Sequence, residues 1–114
     1  SDVVSFHCYE DADGFTRLID DLAAWGRPLV CTEWMSRPRC PVDLVELLHA
    51  RGVAAFQWGL VDGRTQTRFS WKSWVRQDRP DRAWFHELLH PDGTPYDPTE
   101  TALLRAVSPR VGLG

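Results

Sequence analysis

The chain reads as an α/β domain built on a parallel sheet, in the order strand, helix, strand, helix, strand. Three observations predict this. Stretches rich in β-branched and aromatic residues open at Val3, Leu29 and Val53, a repeat of about 25 residues, close to what a βαβ unit needs. Between them, apolar residues recur at helical spacing. The central run, Leu29 to Met35, is continuously apolar until it meets Glu33, as in a buried parallel strand covered on both faces.

Taken in order, Val3 to Tyr9 is a strand with Ser5, His7 and Tyr9 on one face. Asp11 to Gly14 is a loop in which Asp13 can cap the next helix. Phe15, Leu18, Ile19, Leu22 and Trp25 form that helix's apolar face, and Gly26-Arg27-Pro28 stops it. After the strand ending near Glu33, Ser36 to Pro41 is a loop, with Pro41 suited to a first helical position. Val42, Leu44, Val45, Leu47 and Leu48 give a second amphipathic helix, ended by Gly52. Val53 to Trp58 is the third strand, with Phe56 and Trp58 opposite Gln57. Alternation of this kind means right-handed crossovers in one parallel sheet.

Beyond Trp58 the pattern changes. Gly59 to Pro80 is long and weakly periodic, but its aromatics argue against disorder. A short helix is predicted over 81–90, then a Pro91-Asp92-Gly93-Thr94-Pro95 turn. A last helix is capped by Asp97, with Pro98 at its first position and Glu100 reaching back in a capping box. Its apolar face is Leu103, Leu104 and Val107. Residues 1–107 form the domain, and 108–114 are a loose tail.

At 114 residues the chain is the size of one domain. Apolar and charged fractions of 43% and 25% are those of a soluble globular protein. A net charge of −3 and scattered, surface-like arginines provide no basic stripe for nucleic acid. No apolar stretch is long enough to span a bilayer, and no signal-peptide core is present. The first residue is not Met, so Ser1 is not expected to be a native start. Cys8, Cys31 and Cys40 are too few and too irregularly spaced for a disulfide framework or a zinc ribbon. Alternation puts Tyr9, Glu33 and Cys31 inward and Cys8 outward, so Cys8 and Cys31 should not pair.

The chemistry-bearing residues sit at strand ends: His7 and Tyr9 on the first strand, Glu33 on the second, Trp58 on the third. In a parallel sheet these ends share one rim, where sites are built. Tyr9 could hydrogen-bond Glu33 and aim it, while Trp58 supplies an apolar platform. A carboxylate so held suits a nucleophile attacking an anomeric carbon. On spacing alone a second possibility stands beside it: His7 and Tyr9 as satisfied core polar groups, Glu33 as an ion-pair partner, Trp58 as core.

His7-Cys8-Tyr9, Cys31-Thr32-Glu33-Trp34-Met35 and the run from Gln57 to Thr67 resemble the last three barrel strands of a glycoside hydrolase. The family is the cellulase-like one, family 5 and its relatives in clan A, of endoglucanase or 1,4-β-xylanase type. Ser70 to Trp74, Trp84-Phe85-His86 and Asp92 to Asp97 continue the resemblance, which covers nearly the whole chain. It implies a piece of a TIM (β/α)₈ barrel, strands six to eight, incomplete in this chain. It implies Glu33 as the nucleophile of a retaining mechanism, Tyr9 contacting it, His7 facing the substrate and Trp58 stacking on the sugar. Trp71, Trp74 and Gln66 fall in the eighth loop and suit a sugar-lined cleft, without individual roles. The implied substrate is a β-linked polysaccharide or oligosaccharide, with no cofactor and no metal. The parent enzyme could be secreted or periplasmic.

Against the family pattern, retaining hydrolysis needs a second carboxyl group roughly 5–5.5 Å from the nucleophile. In the family that Glu follows an Asn, and this sequence contains no Asn. The chain is also far short of the roughly 250 residues of a typical barrel. It is expected to be a C-terminal portion that needs a missing N-terminal part or self-association, and to be inactive alone. A non-catalytic carbohydrate-binding or scaffold remnant is the alternative. A third reading is a zinc protease, because His86-Glu87-Leu88-Leu89-His90 fits H-E-x-x-H on a helix. Tyr96 where a third ligand would stand, Pro91 directly after the motif and no downstream Met count against it.

Overall fold

A computed structural model describes residues 1–76 and 84–108, apart from the side chains of Trp74 and Arg76. Three strands, Val4–His7 (β1), Leu29–Trp34 (β2) and Ala54–Gln57 (β3), form one sheet in the order β1-β2-β3, both pairs parallel. The crossovers carry the helices Ala12–Ala23 (α1) and Leu44–Ala50 (α2). A short helix, Lys72–Arg76 (α3), comes after β3, and Pro98–Val107 (α4) closes the described chain and packs on α2. The βαβαβ order read from the sequence is therefore present, with β1 and β3 a residue or two shorter at their ends and β2 running one residue past Glu33.

Successive right-handed crossovers that step in one direction along a sheet put both helices on the same face. The core lies there. Phe15 and Ile19 from α1, Leu29 and Cys31 from β2, and Val45 and Leu48 from α2 form one buried cluster. On the other face Ser5 and His7 are exposed and Val30 and Thr32 half-buried. The expectation of a sheet covered on both faces is thus corrected: among the described residues the helices cover one face.

Local chemistry explains most element ends. Asp11, not Asp13, caps α1, accepting a hydrogen bond from the Gly14 backbone N–H at 2.9 Å. The helix stops at Ala23, before the apolar stripe is complete. Trp25, predicted on that stripe, is 73% exposed. Gly26 and Gly52 take φ of +62° and +64° where the chain turns out of each helix. Pro41 does not open α2. Val42 and Asp43 form a turn first, and the helix begins at Leu44. In α4 Asp97 caps Thr99 at 2.8 Å and Pro98 takes the first turn, as predicted. Leu103, Leu104 and Val107 pack against the core.

The expected capping box does not form, because Glu100 has a stronger partner. Its carboxylate receives Nε of Arg37 at 2.8 Å and a second bond from Nη2 of the same guanidinium. Arg37 Nη1 also donates to the carbonyls of Trp84 and Glu87, each at 3.0 Å, and the guanidinium lies over the Tyr96 ring. Arg37 is buried. The reading of all the arginines as solvated surface therefore fails at this one, since a fork of five donors can be satisfied inside a protein when acceptors surround it.

Residues 84–90 are not helical. They run as an extended strap, with Leu89 bridged in parallel to Val61 and antiparallel to Pro95. The backbone groups that a helix would pair internally bond instead to the loops after β2 and β3: Arg37 N to Phe85 O, Phe85 N to Arg68 O, and Leu88 and Leu89 N to Leu60 O. The remainder of the predicted 81–90 helix, Asp81 to Ala83, and the predicted tail beyond Ser108 lie outside the described residues.

Substitution at Arg37 tests this junction. Removing one member of a buried, hydrogen-bonded charge pair leaves the other uncompensated, at about 3–5 kcal/mol. Arg37→Ala should lower the unfolding free energy by that amount in urea titration, and Arg39→Ala, whose ion pair with Glu10 is solvent-exposed, by less than about 1 kcal/mol.

Candidate functional site

Glu33 reaches the rim through an irregularity of the sheet. Phe6 pairs with Cys31, but His7 pairs with Glu33, so Thr32 is an extra residue on β2. The same stretch shifts register against β3 between Cys31 and Trp34. Strand alternation places residues 31 and 33 on one face, whereas a bulge reverses that parity. Cys31 faces the helices and is fully buried, while Glu33 joins His7 on the open face, half-buried. The predicted shared inward direction of Cys31 and Glu33 is corrected accordingly. Cys8, predicted outward, is buried as well. All three thiols are nonetheless free, as expected for Cys8 and Cys31.

Around the carboxylate the predicted partners assemble. The Tyr9 hydroxyl donates to Glu33 Oε2 at 3.0 Å. His7 Nδ1 stands 3.4 Å from the same oxygen. Burial first, then the bond to Glu33 and its charge, push the Tyr9 phenol well above its ordinary range. It remains a neutral donor to Glu33 at every physiological pH. Among the described residues no second carboxylate contacts Glu33.

An aromatic wall stands behind Tyr9. Trp71 meets the Tyr9 ring edge-on, centroids 5.0 Å apart, and Phe85 meets Trp71 at 4.9 Å. His86 completes the wall, 5.7 Å from Tyr9 and 5.4 Å from Trp71. Trp71 is 45% exposed, so part of its indole is open to solvent beside Glu33's partner. Trp58, also 45% exposed, is placed by its backbone N–H, which donates to the Trp34 carbonyl at 3.2 Å at the end of β2. Gln66 lies in an exposed turn with φ of +54°. No hydrogen bond or ring contact joins Trp58 or Gln66 to Glu33 among the described residues. The side chain of Trp74 lies outside them.

The His-Glu-x-x-His motif does not make a metal site. His86 and His90 lie on the extended strap and face different neighbours: His86 the Tyr9 wall, His90 the rings of Trp84 and Tyr96. His86 is 1% exposed, and its Nδ1 lies 2.7 Å from the Met35 carbonyl. Glu87 is fully buried, bonded through one oxygen to the Thr67 hydroxyl, and burial raises its carboxyl above the ordinary range. No group of three or more potential metal ligands converges among the described residues.

Sequence reasoning missed His86 as part of the Tyr9 wall, having placed it on a helix. The signal was Pro91, which leaves little room for a helix through His90. Comparison of the chain with protein-family models, curated proteins and solved structures found no match. No helix among the described residues is long and apolar enough to cross a membrane.

The buried thiols give a pH prediction. Burial raises Cys31 to about 12 and Cys40 to about 11, and raises Cys8 too. The folded chain thus keeps these protons to higher pH than the unfolded chain, whose thiols titrate at about 8.5. Their contribution is fully present below that value and is lost as pH rises toward 12. Urea midpoints should fall steadily between about pH 8.5 and about pH 10.5, and native-state alkylation of all three thiols should be slow until urea unfolds the chain. Rapid alkylation of folded protein would contradict their burial.

Proposed function

We propose that this chain is the nucleophile-bearing, strand-six-to-eight portion of a (β/α)₈ retaining glycoside hydrolase of the cellulase-like clan, acting on a β-linked polysaccharide or oligosaccharide. The observation that carries the reading is the hydrogen bond from Tyr9 to Glu33, with His7 beside it, at the C-terminal rim of a parallel sheet. Such a carboxylate is half-exposed, aimed by a phenol that stays protonated, and flanked by a partly exposed indole. It can attack an anomeric carbon, forming a glycosyl–enzyme ester that water later cleaves. Tyr9 orients the attacking oxygen, His7 faces the sugar, and Trp58 and Trp71 offer apolar faces of the kind sugars stack on.

The acid/base carboxyl group that protonates the leaving oxygen and then activates water belongs, on this reading, to the part of the barrel preceding Ser1. Several βα repeats and an Asn-Glu at a fourth strand end are expected there in the source gene. The absence of a second carboxylate beside Glu33 among the described residues favours one other reading. A chain without that upstream part would bind carbohydrate without turning it over.

In the complete enzyme Glu33→Gln should lower kcat by roughly 10³-fold or more, with substrate binding largely kept. Tyr9→Phe removes one hydrogen bond to a charged group, about 1.5–3 kcal/mol, and should lower kcat by about ten- to a hundredfold. Turnover that survives Glu33→Gln would exclude Glu33 as the nucleophile. Steady-state kinetics on an aryl β-glycoside, with isothermal titration of an oligosaccharide, separate the two effects.

A further inference from the structure

We propose that His86 is the positioning residue of this rim: anchored to the Met35 carbonyl, it holds the Tyr9 ring at the angle from which the phenol reaches Glu33. His86 touches all three strand ends. Its Nδ1 bonds the carbonyl of Met35, two residues past Glu33 on the exit from β2, at 2.7 Å. Its own carbonyl accepts from Nε2 of Gln57, the last residue of β3, at 3.0 Å. Its ring stands against Tyr9, just past β1.

Packing alone does not explain an imidazole at this position. Nε2 of His86 is buried without a hydrogen-bond partner, a cost that an apolar ring of similar size would avoid. The compensation is at Nδ1. A carbonyl can only accept, so Nδ1 carries the proton and Nε2 is the bare nitrogen. Met35 has φ of +77°, in the left-handed region where a non-glycine residue is strained. The imidazole N–H therefore pins a backbone that would otherwise relax, at the turn leading directly away from Glu33.

The ring has little freedom to move. Gly59, with φ of +90°, passes so close that a Cβ there would come within 2.8 Å of the His86 Cβ. Phe85 and Trp71 close two further sides, with centroids 4.5 and 5.4 Å away. Tyr9 is thus boxed by Trp71 and by a ring that is itself fixed to β2 and β3. Its hydroxyl can direct Glu33 without drifting.

The catalytic consequence rests on the proposed function, but the positioning is measured without turnover. In the folded 114-residue chain at neutral pH, side-chain NMR follows exchange of the Tyr9 hydroxyl proton. His86→Phe keeps a ring but loses the N–H, and should speed that exchange by at least about tenfold. His86→Asn, whose short amide can still reach the Met35 carbonyl but which leaves no ring against Tyr9, should speed the exchange as well, since the anchor and the ring are both needed. Leu48→Ala, a core truncation on α2, should leave it unchanged. Wild-type exchange in His86→Phe, or equal acceleration in Leu48→Ala, would overturn the proposal. Should His86→Phe not fold, the imidazole ¹⁵N spectrum of the wild type decides: a proton on Nε2 rather than Nδ1 would overturn it. Failure of these measurements leaves the Glu33 assignment standing, and failure of Glu33→Gln to stop turnover leaves the geometry of His86 untouched.

Discussion

One extra residue in the central strand decides what this sheet can do. Without the bulge at Thr32, strict alternation would put Glu33 on the same side as Cys31 and Leu29, against Phe15 and Ile19. An ionised carboxylate there would be unpaired and desolvated, and would be driven to its neutral form. With the bulge, the same residue turns to the open face and finds the Tyr9 hydroxyl and His7 within reach. The strand keeps its apolar register with the helices up to Cys31 and resumes burial at Trp34. One face serves the core and one residue is lent to the rim. Bulges that re-aim a side chain in this way are over-represented next to active sites.

The chain beyond β3 stabilises that arrangement. The strap 84–90 crosses the loops after β2 and β3 and gives its backbone bonds to both. Arg37 draws the strap and α4 together through two strap carbonyls and Glu100, and His86 does the same for the rim. These are buried polar networks, whose worth lies in being complete. The orphaned Nε2 of His86, Oε2 of Glu87 and Oε1 of Gln57 mark where completeness is given up. Two of the three lie on the strap, and His86 is itself part of the wall behind Tyr9.

The period of about 25 residues and the amphipathic stripes made the βαβαβ order legible, because both arise from local burial. Tyr9 and Glu33 were legible as partners because strand ends in a parallel sheet share a rim. The residues that failed did so for reasons that period-counting does not contain. Trp25 matches the helical stripe, yet α1 ends at Ala23, two residues short of it. Glu100 matches a capping box, yet a guanidinium 63 positions earlier offers two stronger bonds. His86 to His90 match a helical motif, yet their backbone groups find partners in two loops. The bulge left no mark at all, since Thr32 is an ordinary strand residue.

Parallel sheets are rarely left bare on one side, because βαβ crossovers normally leave both faces covered. Here Phe56, on β3, is 63% exposed, and among the described residues β1 and β3 both present unpaired edges. Exposed edges of this kind invite pairing with further strands. A barrel resolves both features together: its next strands pair with the free edges, and its curvature turns the bare face into a closed interior. Glu33, His7 and Tyr9 would then look up from the rim of that interior. The one-sided sheet, which is costly for an isolated domain, is what a segment of a closed barrel would show, and it supports the same reading as the geometry around Glu33.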